Sequence, residues 1–202
     1  MRKMFVVLPL IFGLALMVGC AKPPQLDIQA AKAAIDAAQA AGAADYAAAS
    51  LQAAQGAQSS LDAELQAQEK KFALFRNYNN AKKLAADTKA AGDKAVADAN
   101  AGKEQAKAEA TQLIEQAKAT HKEAGDMLAN APAGKGSKAD LDAMKADLAG
   151  VETSIADADR AFGEGRYLEA KAKAMAARGA AEGVKAQVQQ AIEMRKSRQK
   201  KT

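Results

Sequence analysis

The sequence predicts an all-α fold: an elongated antiparallel helical bundle or coiled coil of about five helices that share one long central helix. Three observations carry this. Alanine, the strongest helix former, supplies 55 of 202 residues, with Glu, Gln, Lys and Arg filling much of the remainder. Apolar positions recur in steps of three and four over long stretches, which places them on one face of a helix. Of the four prolines (Pro9, Pro23, Pro24 and Pro132), only the last falls beyond residue 24, so little interrupts helix.

The elements follow in order. Pro23-Pro24 blocks helix before it and makes a stiff spacer. A first helix starts at Gln25 or Asp27, with Ile28, Ala31, Ile35, Ala38 and Gly42 on one face and a turn from Gly42. Asp45 is expected to cap a second helix running from about Tyr46 to Phe75. Its seam is Leu51, Ala54, Gln58, Leu61, Leu65, Gln68, Phe72 and Phe75. Arg76 to Asn80 reads as a polar turn. A third helix spans about Asn80 to Ala129, its later half carrying Ala106, Ala110, Leu113, Ala117, Thr120, Ala124 and Met127 at heptad spacing. Gly92 and Gly102, each costing about 1 kcal/mol relative to Ala, predict a bend or break near 92–102.

Residues 131–137, Ala-Pro-Ala-Gly-Lys-Gly-Ser, form the clearest loop. A fourth helix covers Lys138 to Phe162, with Leu141, Met144, Leu148, Val151, Ile155, Ala158 and Phe162 as its seam. After the tight turn Gly163-Glu164-Gly165-Arg166, a fifth runs from Tyr167 to about Met194. Its seam is Tyr167, Ala170, Ala174, Ala177, Ala181, Val184, Val188 and Ala191, so small residues face larger ones on the fourth helix. Residues 25–130 thus make an N-terminal bundle containing the long third helix, residues 138–194 a helical hairpin packed on it, and residues 195–202 a basic tail expected to fray. Hydrophobic residues reach 49%, but aromatics are only 4% and Trp is absent, so a bulky core is not expected. Tyr46, Tyr78, Tyr167, Phe72, Phe75 and Phe162, all near helix ends, are expected to plug a thin alanine core.

The first twenty residues have a different character. Met1-Arg2-Lys3-Met4 is a short positive segment, and Phe5 to Val18 is an apolar run containing Pro9 and Gly13. That run is too short for a bilayer core of roughly 30 Å, which needs about 20 helical residues, and it matches the apolar region of a secretion signal. It ends in Leu16-Met17-Val18-Gly19-Cys20, which resembles the lipobox of bacterial lipoproteins, with Met17 in place of the usual Leu. Cys20 is the only cysteine, so no intramolecular disulfide forms. The resemblance implies that residues 1–19 are a removable signal peptide, that Cys20 is the lipidation site, and that residues 20–24 are a lipidated tether. Two or three acyl chains anchor stably where one is marginal. Ala21, where an Asp would signal retention at the inner membrane, implies a lipid-anchored position at the outer membrane facing the periplasm.

Charge and site chemistry narrow the function further. The net charge is +5, and cleavage before Cys20 removes Arg2 and Lys3 from it. Arg195, Lys196, Arg198, Lys200 and Lys201 concentrate positive charge at one end, while the rest is nearly balanced, which excludes a uniformly basic nucleic-acid binder. The tail is a candidate contact for anionic cell wall, phospholipid or lipopolysaccharide. His121 is the only histidine and is expected on the surface; with one Cys besides, no His/Cys metal site is expected. Asp140, Asp142 and Asp147 lie among lysines as a solvated face. Gly134-Lys135-Gly136-Ser137 lacks the spacing and the preceding strand of a phosphate loop. No catalytic set and no cofactor site are expected.

Asp45-Tyr46, Asn77-Tyr78 and Arg166-Tyr167 each place Tyr at a helix start before small residues. Gly165-Arg166-Tyr167 with Ala170 and Ala177 resembles the second helix of a tetratricopeptide hairpin. Uneven spacing and a missing first-helix signature exclude a repeat array. Ala41-Gly42-Ala43-Ala44-Asp45-Tyr46 followed by Ser50-Leu51 and Ala54 is similar to a family of alanine-rich bacterial envelope lipoproteins assigned to a domain of unknown function. The resemblance covers residues 25–130 and implies a cell-envelope location. The expected function is therefore a non-enzymatic, lipid-anchored periplasmic interaction rod, with peptidoglycan, another envelope protein or a second copy of the chain as partner. The alternative is a helical module binding a peptide, lipid or cell-wall component.

Overall fold

A computed structural model describes residues 21–131 and 138–199. Among them the elements are α1 (Gln25–Ala40), α2 (Ala43–Tyr46), α3 (Ala48–Glu69), a 3₁₀ turn (Ala73–Phe75), α4 (Asn79–Ala129), α5 (Lys138–Gly163) and α6 (Tyr167–Gln199). No strand occurs among the described residues. The fold is all-α, with one long helix, α4, contributing to the core of each of two compact units divided between Gly102 and Lys103.

In the first unit, α1, α3 and the first part of α4 bury one stripe each. Ile28 and Ala31 meet Leu61, Tyr78, Ala81 and Ala85 at one end. Ile35 and Ala38 meet Ala43, Leu51, Ala54, Ala95 and Ala99 at the other. The register makes α3 antiparallel to both neighbours. Alanine stripes allow a close approach, and the two glycines of α4 allow a closer one. A Cβ on Gly92 would lie 2.8 Å from the Ala34 carbonyl carbon, and one on Gly102 would lie 2.5 Å from the Tyr46 carbonyl oxygen. The break expected near 92–102 is therefore not found: α4 is one continuous helix from Asn79 to Ala129. These glycines mark where another backbone rests against the helix, and that packing offsets their propensity cost.

The connections depart from expectation in two places. Gly42, at φ +83°, turns the chain after α1. Asp45 does not cap α3; it lies inside the one-turn helix α2, and the non-helical Ala47 (φ −148°, ψ 43°) precedes α3 without any side-chain cap bond. The second predicted helix is also shorter than its seam, since α3 ends at Glu69 instead of Phe75. The Arg76 guanidinium donates to the carbonyls of Glu69 (2.9 Å) and Lys71 (3.1 Å), satisfying groups that a continuing helix would have used. Buried Gln68 donates to Glu64 (2.7 Å) and accepts the Asn77 N–H (3.0 Å). Asn77 in turn accepts the Asn79 N–H at 2.9 Å, opening α4. Phe72 and Phe75, expected in the core, lie on this reversal and are exposed.

In the second unit, α5 and α6 form an antiparallel hairpin joined by Gly165 at φ +77°. Met144 and Leu148 pack with Val184 and Val188, Val151 and Ile155 with Ala177 and Ala181, and Ala161 with Ala170. α4 completes each layer through Leu128, Ala117 and Ala110 respectively. The centres of the seams expected on α5 and α6 are buried, from Met144 to Ala158 and from Ala170 to Val188, while Leu141, Phe162, Tyr167 and Ala191 at their ends are half-buried and Ala161 is buried beside Phe162. On α4 the stripe shifts: Ala106, Ala110 and Ile114 are buried at two successive steps of four, and Leu128 follows Ala124. Leu113 and Met127, expected at the seam centre, are its partly buried flank. Two successive fours form a stutter, which lets a 3.6-residue helix keep its face without supercoiling to match a strict heptad. The end of α6 also differs from expectation, because the helix continues past Arg195 to Gln199.

Candidate functional site

The end of the first unit that holds Ala21 and the start of α1 carries the most distinctive surface. Residues 21–24 are non-helical and lead into α1 through the Pro24 carbonyl, which accepts the Ile28 N–H at 3.0 Å. They lie against the α3–α4 reversal. A cleft of about 460 Å³ between them is lined by Lys22, Arg76, Asn77, Tyr78, Asn79 and Lys82, together with Ala21 and Pro24. Tyr78 is buried beneath it, so the cleft floor is fixed by the core.

The same reversal presents apolar side chains to solvent. Phe72 is 69% exposed, Leu74 64% and Phe75 75%, and Leu26 at the start of α1 is 82% exposed. The Phe72 and Phe75 rings touch each other, with centroids 6.3 Å apart. Lys70 and Lys71 precede them, both exposed, and Arg76 follows. The acidic groups at the start of α1 and on the last two turns of α3 are Asp27, Asp62, Glu64 and Glu69. Glu64 is held below the ordinary carboxylate value by hydrogen bonds from Gln68 and Asn80 and by the nearby Lys71 charge. Sequence reasoning missed this patch because Phe72 and Phe75 fall at seam spacing. Lys70, Lys71 and Arg76 around them were the available signal that the stretch lies outside the core.

The residues singled out in the sequence fall elsewhere. Cys20, Lys200 and Lys201 lie outside the described residues, as do residues 1–19, expected to be a signal peptide, and residues 132–137, expected to be a loop. Arg195, Lys196 and Arg198 lie on the last turns of α6, where Arg195 is half-buried and Lys196 exposed. His121 is not a plain surface residue: it is half-buried, and its Nε2 stands 3.2 Å from the Leu148 carbonyl oxygen. The stutter on α4 brings it toward α5. An open groove of about 300 Å³ beside it is lined by Gly125, Leu128, Lys145, Leu148 and Glu152 among others. Among the described residues, no three His, Cys, Asp or Glu side chains converge. No described helix is long and apolar enough to cross a membrane.

A polar ladder runs along the second unit. Lys171 donates to Glu109, Arg178 to Gln116 (2.7 Å) and Lys185 to Glu123 (2.5 Å). The pairs repeat every seven residues on both α4 and α6, as flanking positions of parallel heptads do. Lys171 and Gln105 hold Glu109 below its usual value. In the first unit, Lys94 and the Ser50 hydroxyl do the same to Asp98.

Comparison with protein-family models, with curated proteins and with solved structures gave no match.

Proposed function

We propose that the chain is a lipid-anchored protein of the bacterial cell envelope that acts without catalysis, as a structural or interaction module in the periplasm. The observation that carries this is the junction at Cys20. An apolar leader ends in Gly19-Cys20, and only four residues separate that cysteine from the first residue of a helix bundle. Four residues, two of them proline, limit the reach from Cys20 to Gln25 to roughly 18 Å. A bilayer holding the acyl chains therefore holds the bundle close to its surface. The heptad faces and the seven-residue ladder suit a body that presents helix surfaces to a partner, with an envelope protein, the cell wall or a second copy as candidates.

The alternative, a binding module for a peptide, lipid or cell-wall component, draws on the groove beside His121. Alanines occupy the core layers around Ala117, Ala158, Ala174 and Ala181, and close packing there leaves the open groove as the site such a ligand would use.

The test of the anchor is metabolic labelling with a fatty-acid probe, comparing the wild-type chain with Cys20→Ser. Wild type is expected to take the label and fractionate with membranes, and the variant to do neither. Label retained by the variant overturns the reading.

A further inference from the structure

We propose that the turn carrying Phe72, Leu74 and Phe75 is a second membrane contact, inserting its apolar side chains into the interfacial layer of an anionic bilayer. The proposal adds to the lipid-anchor reading a role for residues that the anchor does not need.

Three observations meet at this end of the first unit. Phe72, Leu74, Phe75 and Leu26 expose large apolar side chains. Lys22, Lys70, Lys71 and Lys82, all exposed, and half-buried Arg76 lie on the same segments, five cations against Asp27, Asp62, Glu64 and Glu69. Ala21, the residue after Cys20, lines the same cleft as Arg76 and Lys82. Apolar and aromatic groups ringed by cations match the acyl–headgroup boundary, where an interfacial segment sits roughly 5–10 Å deep. Lys and Arg near an anionic surface add favourable electrostatic energy. The aromatic turn is itself held by hydrogen bonds: Arg76 donates to the carbonyls of Glu69, the last residue of α3, and of Lys71, and buried Gln68 fixes Asn77. The side chains are thus presented by a rigid loop, so little ordering entropy opposes insertion. The acyl chains at Cys20 would bring this loop to the lipid, and the loop would fix which end of the unit faces it.

The wild-type chain has one cysteine, so a second can be labelled alone once Cys20 is acylated. Full-length lipoprotein carrying Phe72→Cys or, as a second site, Leu74→Cys is labelled with a polarity-sensitive fluorophore. It is then reconstituted into phosphatidylethanolamine–phosphatidylglycerol vesicles. Gln52→Cys, exposed on α3 beside the opposite cluster, is the control. The expected result is a blue shift and quenching by bromine on lipid acyl chains at 72 and 74, neither at 52, and loss of both effects with Lys70→Glu plus Lys71→Glu. Labels at 72 and 74 that stay in water, on protein whose Cys20 is acylated by mass, overturn the proposal and leave the anchor standing. An unacylated Cys20 overturns the anchor; quenching at 72 by added vesicles then still upholds the loop contact. Labels shielded in whole envelopes but wet in pure vesicles assign the surface to a protein partner and overturn the lipid proposal.

Discussion

Gly92 and Gly56 are both helical glycines, and a propensity scale treats them alike. Their surroundings do not. A methyl at Gly56 meets nothing within 4 Å, whereas one at Gly92 meets Ala34 backbone at 2.8 Å. Gly56→Ala is therefore expected to stabilise the protein by about 1 kcal/mol. Gly92→Ala gains the same propensity but overpacks a helix contact, at a cost of about 1–3 kcal/mol, so its unfolding midpoint should fall or stand still. Urea unfolding of the two variants checks this; equal stabilisation would mean that α1 and α4 do not touch at Ala34. A second contrast sets Leu61 against Phe72, two apolar residues at seam positions of one predicted helix. Leu61 is almost fully buried and Phe72 mostly exposed. Leu61→Ala is expected to cost about 2–5 kcal/mol, and Phe72→Ser to stay within about 0.5 kcal/mol. Comparable losses would place Phe72 in the core.

Elements are set by what lies across from them. The α4–α6 ladder has charged pairs at Glu109–Lys171 and Glu123–Lys185, but a neutral acceptor at its middle rung, Gln116. Arg178 there also approaches Glu182 through Nε at 3.4 Å without a hydrogen bond. Gln116→Glu would complete the charge pattern. The positions are partly exposed, so the gain should be small, about 0.3–0.5 kcal/mol, and should vanish at 1 M salt, where charges are screened within about 3 Å. Thermal unfolding at low and high salt reads both effects; a gain that survives high salt would come from packing instead. The end of α3 shows the same rule in reverse. Its helical pattern runs on to Phe75, but Arg76 and Gln68 draw the chain back and stop the helix at Glu69.

Acid sensitivity belongs to the whole molecule, since carboxylates in both units are tuned in the same direction. Asp98 is lowered chiefly by Lys94, Glu109 chiefly by Lys171 and Glu64 chiefly by Gln68. Each binds its proton less readily in the folded state than in the unfolded one. Their contribution is complete above the unfolded values of 3.8 for Asp and 4.5 for Glu, and it is lost as pH falls through the lower folded values. Lys122, raised by Asp126, works oppositely: its contribution is complete below 10.5 and lost as pH rises past the folded value. Thermal midpoints should therefore hold level from pH 7 to about 5 and drop below pH 4. Replacing Asp98 and Glu109 together with Asn and Gln should flatten that drop; an unchanged slope would show that other carboxylates carry it.

The helical class, the turns at Gly42 and Gly165, and most of the α5 and α6 seams were legible because each follows from local chemistry. Alanine favours helix, glycine accepts positive φ, and a three–four pattern marks a face wherever that face is continuous. Three matters required the partner helix. Whether Gly92 and Gly102 break α4 or receive another backbone depends on Ala34 and Tyr46, residues more than fifty positions away in sequence. Whether Leu113 or Ile114 faces inward depends on a stutter that only the three-helix layer selects. Whether Phe72 and Phe75 are core or surface depends on the hydrogen bonds by which Arg76 and Gln68 end α3. Periodicity records that a face exists; the free energy of burying it is realised only against a surface that sequence spacing does not name.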